Sequence, residues 1–62
     1  MPNISIELFE GRSVDEKREL AAKVTDAVVD TLKVKREIVR IKFINLNKQD
    51  VARGGTLISD QS

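Results

Sequence analysis

Apolar and polar residues alternate from Asn3 to Phe9, with Ile4, Ile6 and Leu8 on one side and Asn3, Ser5 and Glu7 on the other. A period of two over this length predicts a strand with one face covered. Glu10-Gly11-Arg12 ends the alternation, and Gly11 supplies a turn. Ser13-Val14-Asp15-Glu16 then carries the marks of a helix start. The serine hydroxyl can accept from the amide three residues on, while the glutamate reaches back to the cap. Beyond it the period lengthens: Leu20, Ala21, Val24, Ala27, Val28 and Leu32 form one stripe, with Arg18, Glu19, Lys23, Asp26 and Asp30 mostly outside it. Glu19 and Lys23 are spaced to pair across one turn. Asp15 and Glu16 near the start, and Lys33 and Lys35 near the end, suit the helix dipole.

Alternation resumes over residues 37–45, with Val39, Ile41 and Phe43 facing one way and Ile38, Arg40, Lys42 and Ile44 the other. Strand, helix, strand in this order predicts a parallel pair joined by a right-handed crossover. Residues 52–58, containing Gly54-Gly55, predict a turn and a short extended piece, and the polar tail 59–62 is expected to fray. The predicted fold class is therefore α+β: a β-α-β subunit with two parallel strands, one long helix and a short C-terminal turn or hairpin. Two parallel strands and one helix make no stable isolated sheet. The helix covers one face of the pair, and the other needs a further subunit. An oligomer is expected on this ground alone.

Length sharpens that expectation. With 62 residues the chain predicts a single domain spanning 1–62, and a domain of this size buries only about 60% of its unfolded surface. There is no cysteine to form a disulfide and no histidine, so neither a structural zinc site nor another metal is expected, and no cofactor is called for. A formal charge of +1 argues against a nucleic-acid partner. No apolar run is long enough to span a bilayer, and the N-terminus lacks a secretory pattern, so no membrane partner is expected and the cytoplasm is the expected compartment.

Chemistry has to proceed without histidine, cysteine, tyrosine or tryptophan. Pro2 becomes the leading proton carrier. Excision of Met1 before a small residue leaves a secondary amine, and an α-amino group ordinarily titrates at about 7.7–8.0. Burial or nearby cations lower that value and give a neutral base near physiological pH. Arg12 follows the first strand, and Arg40 lies between Val39 and Ile41 on the second. A guanidinium in a covered strand needs a partner. For Arg40 it could be Glu7, Glu37 or an anionic substrate gripped through two oxygens.

Pro2 opening a strand, Glu10-Gly11-Arg12-Ser13 at its end, a long amphipathic helix, Val39-Arg40 and Gly54-Gly55 together resemble the 4-oxalocrotonate tautomerase family, without a gap from Pro2 to about Leu57. The resemblance implies a hexamer described as a trimer of dimers, and a small anionic enol or keto acid as substrate. It implies that Pro2 takes the proton of a 2-hydroxydienoate such as 2-hydroxymuconate and returns it to a distant carbon. Arg12 would hold the far carboxylate. Arg40, from a neighbouring subunit, would hold the near carboxylate and the 2-oxygen. Phe9 matches a bulky apolar position near the site.

Val51 departs from the pattern, standing where characterised members carry a phenylalanine that walls the pocket, and Arg53 replaces an apolar position. Loss of the aromatic wall is expected to open the pocket to water. Other readings are a proline-dependent hydratase, dehalogenase or decarboxylase, though hydration needs a group to activate water and neither Glu7 nor Glu10 is a convincing one, and a non-catalytic oligomeric homologue. A chain that keeps Met1 has a tertiary amide at Pro2 and no basic lone pair there, which fits the last of these.

Overall fold

A computed structural model describes residues 1–61. Its elements are β1 (Asn3–Phe9), α1 (Val14–Leu32), β2 (Arg40–Leu46), β3 (Ala52–Arg53) and β4 (Thr56–Leu57), with short 3-10 turns at Arg36–Ile38, Lys48–Asp50 and Ile58–Asp60. β1 and β2 pair in parallel, in register from Asn3 opposite Arg40 to Phe9 opposite Leu46. This is the β-α-β arrangement that the hydrophobic pattern predicts.

The helix begins where the sequence indicates. The Glu16 amide donates to Ser13 Oγ at 3.1 Å and the Ser13 amide donates to Glu16 Oε1 at 3.0 Å, completing the capping box. Leu20, Ala21, Val24 and Val28 are half-buried, as are Thr25 and Val29. Ala27 and Leu32, assigned to the covered stripe from the sequence, are exposed. Ala27 sits at the stripe's border, and Leu32 ends a helix of 19 residues lying beside strands of seven. At about 1.5 Å per helical and 3.3 Å per strand residue, the helix outruns the sheet by roughly 5 Å. Lys33 caps the C-terminus in the left-handed region, at φ 57°, and its amide donates to the Val29 carbonyl.

The second strand starts three residues later than the alternation suggests. The Ile38 and Val39 amides donate to the Lys35 and Arg36 carbonyls, so they are spent in a local turn that swings the chain back from the helix. Three residues of a 3-10 turn are too few for their period to be told from that of a strand. The predicted turn at Gly54-Gly55 is a hairpin: β3 and β4 are antiparallel, and the two glycines at φ 61° and 83° form the left-handed pair that a two-residue turn requires. The tail expected to fray is ordered through Gln61, whose Nε2 donates to the Thr56 carbonyl, while Ser62 lies outside the described residues.

No described residue is fully buried. The accessible surface is 5030 Å², against about 4,000 Å² for a compact monomer of this mass. The radius of gyration, 14.9 Å, likewise exceeds the roughly 11 Å of a compact chain of this length. The sheet face turned from the helix carries Asn3, Ser5, Glu7 and Phe9 on β1 and Arg40, Lys42 and Ile44 on β2, all exposed.

Candidate active site

Pro2 precedes β1 and is half-buried. Its carbonyl accepts from the Arg40 amide at 3.1 Å, the bond that opens the parallel ladder. The chain direction thus brings Pro2 and Arg40 to the same end of the sheet. Met1 is 87% exposed, and its carbonyl accepts a 3.4 Å hydrogen bond from Asn3 Nδ2.

At this end, Asn3, Ile4, Ser5, Arg40 and Lys42 line a cleft of about 270 Å³. Asn3 lies opposite Arg40 and Ser5 opposite Lys42 in the register. Two cations and no carboxylate line this cleft, and the ion pairs among the described residues involve neither Arg40 nor Lys42. Glu7, the carboxylate on this sheet face, is registered against Ile44. The partners considered for Arg40 within its own chain, Glu7 and Glu37, do not pair with it.

Arg12 stands at the other end, beyond the C-terminus of β1. Residues 3 to 9 alone span about 20 Å at the usual strand rise. Arg12 Nη1 lies 3.5 Å from Glu16 Oε2, with both side chains more than half exposed. Glu16 therefore serves two groups, Ser13 through one oxygen and Arg12 through the other. The Ser13 amide holds its carboxyl below the ordinary value of 4.5 against the opposing effect of desolvation, and the Arg12 guanidinium adds to the lowering. The adjoining cleft of about 410 Å³ has Leu8 and Leu20 among its lining and mixes Arg12, Lys17 and Lys23 with Glu16 and Glu19. Lys23 pairs with Glu19 at 2.8 Å, and Lys17 Nζ donates to Asn45 Oδ1 at 3.0 Å.

Within one chain, then, Pro2 and Arg40 come together and Arg12 does not join them. Phe9 ends β1 at the Arg12 end and is 38% exposed on the open sheet face. Val51 is half-buried after the Lys48–Asp50 turn, and its carbonyl accepts from the Ile58 amide at 2.8 Å. Neither residue lines the cleft next to Pro2. Arg53 pairs with Thr56 at the base of the hairpin turn. Lys42 was not among the candidates from sequence, although a visible signal existed: Arg40 and Lys42 alternate on one strand face, with only uncharged Asn3 and Ser5 opposite them.

A parallel β-α-β unit with one long helix and a short C-terminal hairpin is the fold of the 4-oxalocrotonate tautomerase homologues. The family described as tautomerase enzyme matches residues 2–61, and the chain belongs to it. A probable tautomerase of Listeria innocua is 38% identical over 60 residues, covering 97% of this chain and 98% of that relative. A 4-oxalocrotonate tautomerase isozyme from Methylibium petroleiphilum superposes with a TM-score of 0.88 at 38% identity, over 94% of this chain and 91% of its own. A heterohexamer 4-oxalocrotonate tautomerase from Chloroflexus aurantiacus gives a TM-score of 0.90 at 26% identity, over the full length of both chains.

Proposed function

We propose that the protein is an enol–keto tautomerase acting on a small anionic 2-hydroxydienoate, represented by 2-hydroxymuconate, and that Pro2 is its general base and acid once Met1 is removed. The proline nitrogen takes the proton of the 2-hydroxyl. The O–H electron pair forms the C2 carbonyl, the diene electrons shift along the chain, and C5 takes the proton from the prolinium. Atoms and electrons balance without a cofactor. Arg40, from a neighbouring copy, holds the near carboxylate and the 2-oxygen, and Arg12 holds the distant carboxylate. Cations close to Pro2 favour its neutral form.

The observation that carries this reading is the Arg40 amide bonded to the Pro2 carbonyl. Pro2, whose nitrogen becomes an amine once Met1 is removed, and the strand that bears Arg40 share one end of the sheet with a cleft of uncompensated positive charge, which a Pro2 of this or a neighbouring copy can face. The exposure of Met1 adds to it, since excision costs the ladder none of its strand pairs.

The active unit in this reading is a hexamer, a trimer of dimers of this single domain. Three features support it: the surplus of exposed surface, the open sheet face, and the separation that lets Arg12 meet a Pro2 only from another copy. The Chloroflexus relative is itself hexameric.

The test is turnover of 2-hydroxymuconate by protein whose mass shows that it starts at Pro2. Pro2→Ala is expected to lower the rate by about 10²–10⁴, the usual worth of a positioned general base. Equal rates in both proteins end the role of Pro2.

A further inference from the structure

We propose that Lys42 joins Arg40 in stabilising the charge that develops on the substrate's 2-oxygen, adding a point charge there while Arg40 also grips the neighbouring carboxylate; this rests on the tautomerase reading above. Arg40 and Lys42 project from the same face of β2 into one cleft, two positions apart. That spacing is about 6.6 Å along a strand, a gap that two long side chains close readily around a ligand held between them. The fork of Arg40 matches the two oxygens of a carboxylate, whereas a lysine ammonium is a compact point charge suited to a single oxygen. Ser5, opposite Lys42, brings a hydroxyl to the same cleft, and Asn3 an amide.

The bland alternative is a solvated lysine, and in one subunit Lys42 is exposed. Its place on the open sheet face sets it apart from the other cations. Arg12, Arg18, Lys23 and Arg36 are in ion pairs, and Lys17 is hydrogen-bonded to Asn45. Lys33, Lys35, Lys48 and Arg53 lie at caps, turns and the hairpin, where water wraps the chain. Arg40 and Lys42 differ from both groups: they sit within a strand, on the sheet face that also carries Ile44 and Phe9, with no carboxylate in their cleft. Two like charges held together in this way attract an anion. The assignment is independent of which copy's Pro2 the cleft serves, because both cations belong to the same strand.

During proton transfer the 2-oxygen gains charge as its proton leaves, and a fixed cation there lowers the barrier more than it strengthens ground-state binding. The substrate class that follows is a 2-oxo or 2-hydroxy acid, preferred over a plain carboxylate of equal length. Calorimetric titration with 2-oxoadipate and with adipate, which lacks the 2-oxygen, separates the two. Lys42→Met is expected to weaken 2-oxoadipate about tenfold, the scale of one charge-assisted hydrogen bond, and adipate by less than about threefold. Lys42→Arg is expected to restore most of the loss, and kcat for 2-hydroxymuconate is expected to fall in Lys42→Met more than KM rises.

Unchanged 2-oxoadipate affinity in a folded, assembled Lys42→Met overturns the assignment. So does equal weakening of both ligands, which marks a general electrostatic effect. A lowered melting temperature with unaltered affinities overturns it too, and assigns Lys42 to Glu7 or another carboxylate of the assembled face. Full turnover by Pro2→Ala, in contrast, removes the proline mechanism and leaves the binding comparison to decide on Lys42.

Discussion

The two clefts of this subunit differ in size in one direction and in unspent charge in the other. The larger, beside Arg12, contains three cations, but Glu16 and Glu19 sit among them and two of the three are in ion pairs. The smaller, beside Pro2, holds two cations with no acid in its lining. Volume alone favours the Arg12 cleft as a binding site. Charge accounting favours the Pro2 cleft, because an arginine that already faces a carboxylate has less to offer a second one. Arg12 retains further N–H donors and meets Glu16 through a single long contact of 3.5 Å, so it can still grip a carboxylate brought by the substrate. Arg40 starts without a competitor.

The sharpest way to break this contrast is to remove each arginine in turn. Arg40→Ala is expected to lower kcat/KM for 2-hydroxymuconate by about 10²–10³, the range for losing a preorganised donor at a reacting oxygen. Arg12→Ala is expected to cost about tenfold, because its free state is already partly satisfied by Glu16. Equal losses, with the oligomer intact in both by sedimentation, refute the ranking of the two clefts.

A smaller effect tests how the Arg12 end is held. Ser13→Ala removes the hydroxyl that caps the helix next to Arg12, and is expected to cost about 1 kcal/mol in denaturant unfolding. Turnover with a substrate lacking the distant carboxylate, such as phenylenolpyruvate, is expected to change little. Placing an aromatic ring at this position with Val51→Phe is expected to raise activity only a few-fold, by excluding water. No rise marks Val51 as neutral loop variation.

The least of these effects is a pH dependence confined to the Arg12 end. The Glu16 carboxyl is held below its ordinary 4.5, so its stabilising contribution is complete above that value and fades as the pH falls through the lowered one. Wild type is therefore expected to lose thermal stability in acid more steeply than Glu16→Gln, which retains a cap acceptor but has no proton to bind. Parallel acid profiles for the two proteins count against the Glu16 assignment.

Most of the secondary structure was legible because it rests on local rules. The period-two run Asn3–Phe9 and the Ser13/Glu16 capping box each specify an element through near neighbours. Residues 37–39 were misread since their amides are claimed by a turn whose cause is tertiary, the return of the chain from helix to sheet. The site was legible in part. Pro2 stands out for want of another proton carrier and Arg40 for its place in a strand. Their roles and that of Arg12 follow from family resemblance, and the parallel register fixes their distribution over the two ends of the sheet. Lys42 escaped notice because a lysine on a strand reads as solvated until its neighbours are known to include no acid. Phe9 closes a strand that the alternation specifies, whereas Val51 is placed by a 3-10 turn that composition does not reveal.

That no described side chain is fully shielded has a consequence for how the molecule behaves in dilute solution. In the hexameric reading, the burial that one copy lacks comes from encounters between copies, and the law of mass action then enters the melting curve itself. Nanomolar samples are expected to unfold at lower temperatures than micromolar ones, so any thermal midpoint describes the sample's loading as much as its sequence.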